Sequence, residues 1–394
     1  MPTPCGFWVS VIPFLTIRNL DSRMAKPRPN STTEGTSIET YYRVPDLIEY
    51  ASALFAAAGC DGDKPATIAA GLVEADLLGH TTHGLQLAAS YLGEIESGGM
   101  TPSGEPEIVG DRGGAVTWDG RKLPGVWLTS RAVDLAVKRA ATHGIVAVSI
   151  RRSHHIGCLA AFLQRATDRG FMIIIASSDP ASAIVAPFGG RKAAFTPNPI
   201  AIGIPTGGDP ILIDISSSIT TNGMSNRLHR EGKRFPGTWA LDATGNATDD
   251  PAALFTDPPG TLLPVGGMDH GHKGYGLALM VEALTQGLSG FGRAERPTGL
   301  GASVFVQVID PEAFGGSAAF LGETEWLAAA CRDNPPVPGG DAVRLPGQRG
   351  LERKRLALAE GVALYPGIIS ALEPYAKKCG ATPPRSISGP NPGY

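Results

Sequence analysis

The segment GIPTGGDPILID, residues 203–214, decides the fold. It joins two short β-rich runs, Ile200 to Ile204 and Ile211 to Ile215, through a turn of Pro, Thr, Gly and Asp. A crossover helix between parallel strands needs a dozen or more residues, and there is no room for one here, so the two runs must pair antiparallel. Elsewhere a helical segment, Leu128 to Ala141, precedes the apolar runs Ile145 to Ile150 and Phe171 to Ala176. Helices alternating with short strands indicate a layered α/β domain. The expected fold class is therefore α/β, layered α/β/α, with a mixed sheet that is not purely parallel.

Towards the N-terminus the period is helical. Pro45 to Ala58 puts Leu47, Ile48, Ala51, Leu54 and Phe55 on one face, with Gly59 at the stop. A second helix runs from about Pro65 to Gly79, and a third short one lies around Leu85 to Ile95, with GHTTHG between them. Towards the C-terminus, His272 to Leu288 reads as a helix and Ser303 to Ile309 as a strand. Helices flank the Pro/Gly-rich loop 334–340. Residues 1–41 read as a loosely ordered extension. The tail 379–394, rich in Pro, Ser and Gly, reads as flexible.

Composition excludes several classes. The chain has 394 residues, 42% hydrophobic and 18% charged, which permits a sizeable core and disfavours global disorder. With 34 basic and 37 acidic residues, it offers no polycationic surface for nucleic acid. The apolar stretch Gly6 to Ile17 is interrupted by Pro13 and too short to span a bilayer. Five widely separated cysteines, none at metal or redox spacing, favour a reducing cytosol over a disulfide framework.

The histidines carry the chemistry. Six of the eight fall in three groups beside glycines: His80 and His83, His154 and His155, His270 and His272. Turn histidines satisfied by carbonyls are the bland explanation of any one group, and recurrence in glycine-lined loops weakens it for all three. A metal cage is one alternative, but HExxH is absent and adjacent His154 and His155 diverge on a strand. Acid–base work near neutrality is the other. Thr82, beside His83, could orient the ring for deprotonation of an alcohol, whose hydride then needs an acceptor. Neither GxGxxG nor a Walker A loop is present, so any dinucleotide must lie on other glycine-rich loops and helix N-termini. APFGGRK (186–192), TPNP (196–199) and GHKGYG (271–276) are candidates.

Together these stretches resemble the type 2 malate/L-lactate dehydrogenase family, which includes malate, lactate, sulfolactate and ureidoglycolate dehydrogenases and Δ1-piperideine-2-carboxylate reductase. The resemblance runs from about Tyr42 to Ala376. It rests on EADLLGHTTHG (74–84), RSHHIG (152–157), APFGGRKAAFTPNPIAIGIP (186–205), ILIDISSS (211–218), GTWALDATGNATDDP (237–251), LPVGGMDHGHKGYGLA (263–278) and VRLPGQR (343–349).

The resemblance implies an NAD- or NADP-dependent oxidoreductase with a non-Rossmann cofactor domain, working as a homodimer on a small 2-hydroxy or 2-oxo acid. It implies an NAD(P)-binding domain at 119–284, and a discontinuous helical substrate and dimerisation domain at 42–118 and 285–378. His83 falls on the catalytic histidine, Thr82 on its hydroxyl neighbour, and His155 on a histidine at the cofactor that serves as proton acceptor in some members. Ser178 or Asp179, Asn198, Ile213, Asp214, Ile215, His272, Lys273, Pro346, Gly347 and Gln348 fall on cofactor contacts. Tyr91, Leu87 and Arg152 are placed at the substrate end. No resident metal, nucleic acid or membrane is implied.

Three departures bear on substrate. Leu87 stands where many members carry an arginine for the substrate carboxylate, a pairing Leu cannot replace. Arg151, Arg152 and Arg191 are candidate substitutes. Met224 stands at a usual lysine or aspartate, and Pro197 removes a backbone N–H from the GTNP turn. A cyclic imino acid reductase is the rival within the class. A metal-dependent hydrolase or lyase built on the histidines, and an inactive relative that binds NAD(P), are the rivals outside it.

Overall fold

The structure, a computed structural model, describes residues 40–388. The expected extension 1–41 lies outside them except for Thr40 and Tyr41, which enter a strand, Thr40–Tyr42. Seven strands form the main sheet. Their spatial order is Glu107–Asp111, Ala115–Asp119, Ile145–Ser153, Ala302–Ile309, Met172–Ser178, Ile200–Ile204, Ile211–Ile215. Ala115–Asp119 and Ile145–Ser153 pair parallel across the helix Gly125–His143; the other neighbours pair antiparallel. The 203–214 turn thus has its expected consequence, with Ile204 opposite Ile211.

Alternation along Ala302–Ile309 builds the layers. Val304, Val306 and Val308 are fully buried in one core with Val133, Ala136 and Ala140 of the helix Gly125–His143. Phe305 points to the opposite face, against Ala176, Ile200 and Val281 of the helix His272–Glu282. Each such apolar side chain contributes roughly 1.5–3 kcal/mol on burial. The helices Val44–Ala57 and Lys64–Leu77, each opened by a proline in its first turn, extend the first core with Leu47, Phe55, Ile68 and Leu72. A separate core of Val185, Phe195, Phe235, Ala240, Leu254, Leu262 and Ala278 sits with a small antiparallel sheet, Ala240–Leu241 between Ala247–Thr248 and Thr261–Leu262.

The main sheet takes strands from both sides of residues 118 and 285, since Glu107–Asp111, Ala115–Asp119 and Ala302–Ile309 all belong to it. Within the described part of the tail, the helix Ile368–Cys379 ends and Ser386–Ile387 pairs with Thr40–Tyr42, which also pairs with Val362–Leu364. Backbone pairing satisfies these short segments where their side chains give no alternation. The helix expected to run from His272 to Leu288 is α-helical through Glu282 and continues as a π-turn, Ala283–Gly287.

Candidate active site

The GHTTHG corner is shaped by the helix before it. Asp76, buried near the end of Lys64–Leu77, accepts the N–H of Leu85 through Oδ2 at 2.8 Å. A Cβ on Gly84 would lie 2.3 Å from the Asp76 carboxyl, so only glycine allows this approach. Burial pushes the Asp76 carboxyl up to about 7. The His83 N–H closes a turn on the carbonyl of His80 at 2.8 Å, and His80 N–H bonds Ala75 O at 2.8 Å. His83 is thereby held over the cleft, with Nδ1 2.9 Å from Thr82 Oγ1. Burial holds its imidazole below the usual histidine range; Asp214 opposes this, while His80 and Arg227 add to it.

His155 comes from the turn after Ile145–Ser153, and its ring centroid lies 6.1 Å from that of His83. Its Nδ1 receives the Tyr91 hydroxyl at 2.7 Å and the Gly157 N–H at 3.3 Å. Burial, reinforced by His83 and His154, drives the His155 imidazole down to about 3. Both rings are therefore neutral at physiological pH.

These groups line a cleft of about 570 Å³, together with Thr82, Ser178, Asp179, Thr196, Pro197 and Asp214. A second cavity of about 490 Å³ shares His80 and Asp214 with it, and adds Ile213, Ile215, Arg344, Pro346, Gly347 and Arg349. At Gly347, φ +84°, a Cβ would lie 2.6 Å from Leu212, whose N–H bonds Pro346 O at 3.1 Å. The turn that opens the helix Gln348–Glu360 is thus pinned to the strand Ile211–Ile215. The second cavity is basic and lies at a helix N-terminus, which suits an anionic ligand. Asp214 Oδ2 accepts the Ala160 N–H at 2.8 Å.

Several residues read from the sequence lie elsewhere. Asn198 is fully buried and lines neither cavity; its amide donates to Glu282 Oε1 at 2.9 Å and Ala278 O at 3.2 Å, fastening the TPNP turn to the helix below. Glu282 also accepts from Ser178 Oγ at 2.8 Å. His272 and Lys273 are exposed, His272 packing on Phe188 at 5.8 Å. Gln348 folds back, its Oε1 accepting the Leu345 N–H and its Nε2 donating to Glu352. Tyr91 is 1% exposed, a partner of His155 rather than a cleft residue. Leu87 packs against the main core.

Arg152 and Arg151 both ion-pair with buried Asp119, and Arg191 bonds the carbonyl of Thr244. None of the three lines the cleft, and Arg227 approaches it only from behind Thr81. The guanidinium that reaches the His83 corner is Arg227, which the sequence reading missed. It sits on the helix Asn222–Arg230 and donates to Thr81 Oγ1 at 3.1 Å and Gln86 Oε1 at 2.8 Å. That helix is capped by Thr221 and brings Met224 to the cleft wall. Among the described residues, His154 is buried with neither ring nitrogen hydrogen-bonded, and His80 lies with Cys158 and Asp214.

The sequence model of the family described as malate/L-lactate dehydrogenase matches residues 43–373. An L-lactate dehydrogenase of Cupriavidus necator is 31% identical over 338 residues, covering 84% of this chain and 95% of that protein. The solved malate dehydrogenase of Pyrococcus horikoshii OT3 aligns with a TM-score of 0.78 at 27% identity, over 89% of this chain and 99% of its own. The Δ1-piperideine-2-carboxylate reductase of Pseudomonas syringae pathovar tomato aligns at 0.74 and 27%, over 85% and 99%.

Proposed function

The chain belongs to the malate/L-lactate dehydrogenase family, and from that premise we propose that it moves hydride between NAD(P) and C2 of a small 2-hydroxy or 2-oxo acid. The observation that carries this reading is His83, neutral and hydroxyl-bonded, on the wall of a cleft that shares His80 and Asp214 with a neighbouring basic cavity.

The residues present fit a dinucleotide. Two neighbouring cavities with Asp214 and His80 as common walls have room for its two halves, and Arg344, Arg349 and the turn Pro346–Gly347 suit its phosphates. When bound, the nicotinamide supplies the hydride acceptor or donor at C4. The protein supplies the proton chemistry. Nε2 of His83, the ring nitrogen Thr82 leaves free, takes the hydroxyl proton in oxidation, and the imidazolium returns it in reduction. His155 offers an N–H donor to the substrate oxygen. Arg227 lines neither cavity but, bonded to Thr81 and Gln86 behind the His83 corner, adds positive charge that favours a carboxylate there, a contribution Leu87 cannot make.

Free thiols at Cys60, Cys158, Cys331 and Cys379 support a cytosolic setting. Among the described residues no helix is long and apolar enough to cross a membrane. The exposed apolar side chains of Leu279, Met280 and Leu288 support a homodimer. A second reading, cyclic imine reduction, uses the same proton donor and is favoured by the structural likeness to the piperideine-carboxylate reductase. NAD(P)H oxidation measured against pyruvate, oxaloacetate and a cyclic imino acid separates the two. Silence on all three, with NAD(P)H bound, would leave the inactive relative.

A further inference from the structure

His80, Cys158 and Asp214 come from three different elements: the corner after Lys64–Leu77, the approach to the short turn Leu159–Phe162, and the strand Ile211–Ile215. One donor atom of each lies within 4.8 Å of the others. They meet on the wall between the two cavities, since His80 and Asp214 line both and Cys158 lines the larger. None of the three has a proton-transfer task in the reaction proposed for His83.

The spacing is that of a metal site nearly closed. With metal–sulfur near 2.3 Å and metal–oxygen near 2.1 Å, adjacent corners of a tetrahedron stand roughly 3.6 Å apart. Cys158 Sγ and Asp214 Oδ2 are 3.5 Å apart. One edge therefore already has its length, and the half-buried His80 completes the triangle by a side-chain shift on the order of an ångström. The carboxylate is oriented by the Ala160 N–H, the kind of support from behind that ligating groups usually have. Sulfur, imidazole and carboxylate together select zinc-like ions over magnesium or calcium.

We propose that His80, Cys158 and Asp214 form a site for a single Zn²⁺-class ion, and that occupation of this site and binding of the dinucleotide exclude one another. On binding, the Cys158 S–H bond is replaced by a sulfur–metal bond and the proton leaves to solvent; nothing is oxidised or reduced. The ion occupies the ridge between the cavities, so it inhibits rather than catalyses. The exclusion rests on the dinucleotide reading given above, whereas the metal site itself does not.

The test uses the full chain freed of metal by chelator. Co²⁺ titrated without dinucleotide should give a thiolate charge-transfer band and tetrahedral d–d bands at one equivalent, bleached by Zn²⁺. Cys158→Ser should abolish the charge-transfer band, and His80→Gln, a half-exposed position that does not threaten folding, should weaken affinity about 10- to 100-fold. Absence of the band, or equal affinity in both variants, overturns the site. Zn²⁺ at ten times its dissociation constant should raise the apparent Kd of NADH or NADPH, read by fluorescence, about tenfold in the wild type and not in Cys158→Ser. An unchanged Kd overturns the exclusion. If the metal-free protein binds neither nucleotide, the functional reading fails while the cobalt spectrum still decides the site.

Discussion

The hydroxyl of Tyr91 stands 2.7 Å from Nδ1 of His155. The same nitrogen lies 3.3 Å from the N–H of Gly157, which can only donate. Nδ1 must therefore hold the lone pair, Tyr91 donates as well, and the ring proton sits on Nε2. A histidine fixed in this tautomer, and driven to about 3 by burial, gives a hydrogen bond but takes no proton. The two neighbouring rings then divide their labour: His155 polarises, His83 exchanges the proton.

Tyr91→Phe removes one of the two donors. Nitrogen-15 NMR should show His155 as a pure Nε2–H tautomer in the wild type and a mixture in the variant. Losing one neutral hydrogen bond of about 1.4 kcal/mol predicts a roughly tenfold fall in kcat/KM. A pure Nε2–H signal with unchanged kinetics in the variant would show that Gly157 alone suffices.

Replacing His83 by Ala should cut kcat by about 10²- to 10⁴-fold, the usual contribution of a positioned acid–base group, while nucleotide affinity stays within error. Unchanged turnover would remove His83 from the reaction.

The direction of the His83 shift fixes the pH profile. Burial lowers its pKa below 6.5, so the neutral base required for oxidation persists at and below that pH and is lost only as pH falls through the lowered value. The acid limb of kcat/KM for oxidation should lie below pH 6.5, and reduction should gain as the medium becomes acidic. An acid limb above 6.5 would assign the titration to another group.

Arg227→Gln should raise KM for a carboxylate substrate about 10- to 100-fold with a smaller change in kcat, and Arg227→Lys should recover part of the loss. Equal losses in kcat and kcat/KM would mean that Arg227 only shapes the corner through Thr81 and Gln86.

Asp76 binds its proton more tightly folded than unfolded, with a pKa raised from 3.8 to about 7. Its contribution to stability is present below the unfolded value and is lost as pH rises through that window. The span corresponds to at most about 4 kcal/mol. Asp76→Asn, which keeps an acceptor for the Leu85 N–H, should flatten the decline in melting temperature between pH 4 and 7. An unaltered slope would show that Asp76 does not titrate there.

Periodicity made much of this fold legible. The helices around Leu47–Phe55 and Ile68–Leu77 and the antiparallel turn at 203–214 follow from spacing alone, and the histidine corners follow from their glycines. The strand Glu107–Asp111 escaped notice because Ile108 and Val109 are both exposed, so no alternation marks it. Arg227 escaped because its helix is dominated by polar residues and reads as a solvated face; only the folded chain brings it to Thr81. Asn198 is expected at the cofactor from its TPNP turn and the family resemblance, whereas its side chain bonds Glu282, a partner 84 residues away that no local motif records. The convergence of His80, Cys158 and Asp214 joins residues 56 to 134 positions apart, beyond what any local motif records.

The strand Ala302–Ile309 fills the middle of the main sheet although it is the last of the seven to leave the ribosome. Until it emerges, Ile145–Ser153 and Met172–Ser178 each present a naked, apolar edge, the kind that recruits other nascent chains. Early termination upstream of residue 302 therefore yields two half-sheets with sticky borders rather than a shortened enzyme. The order of synthesis leaves those two borders open over the whole stretch from residue 178 to residue 302.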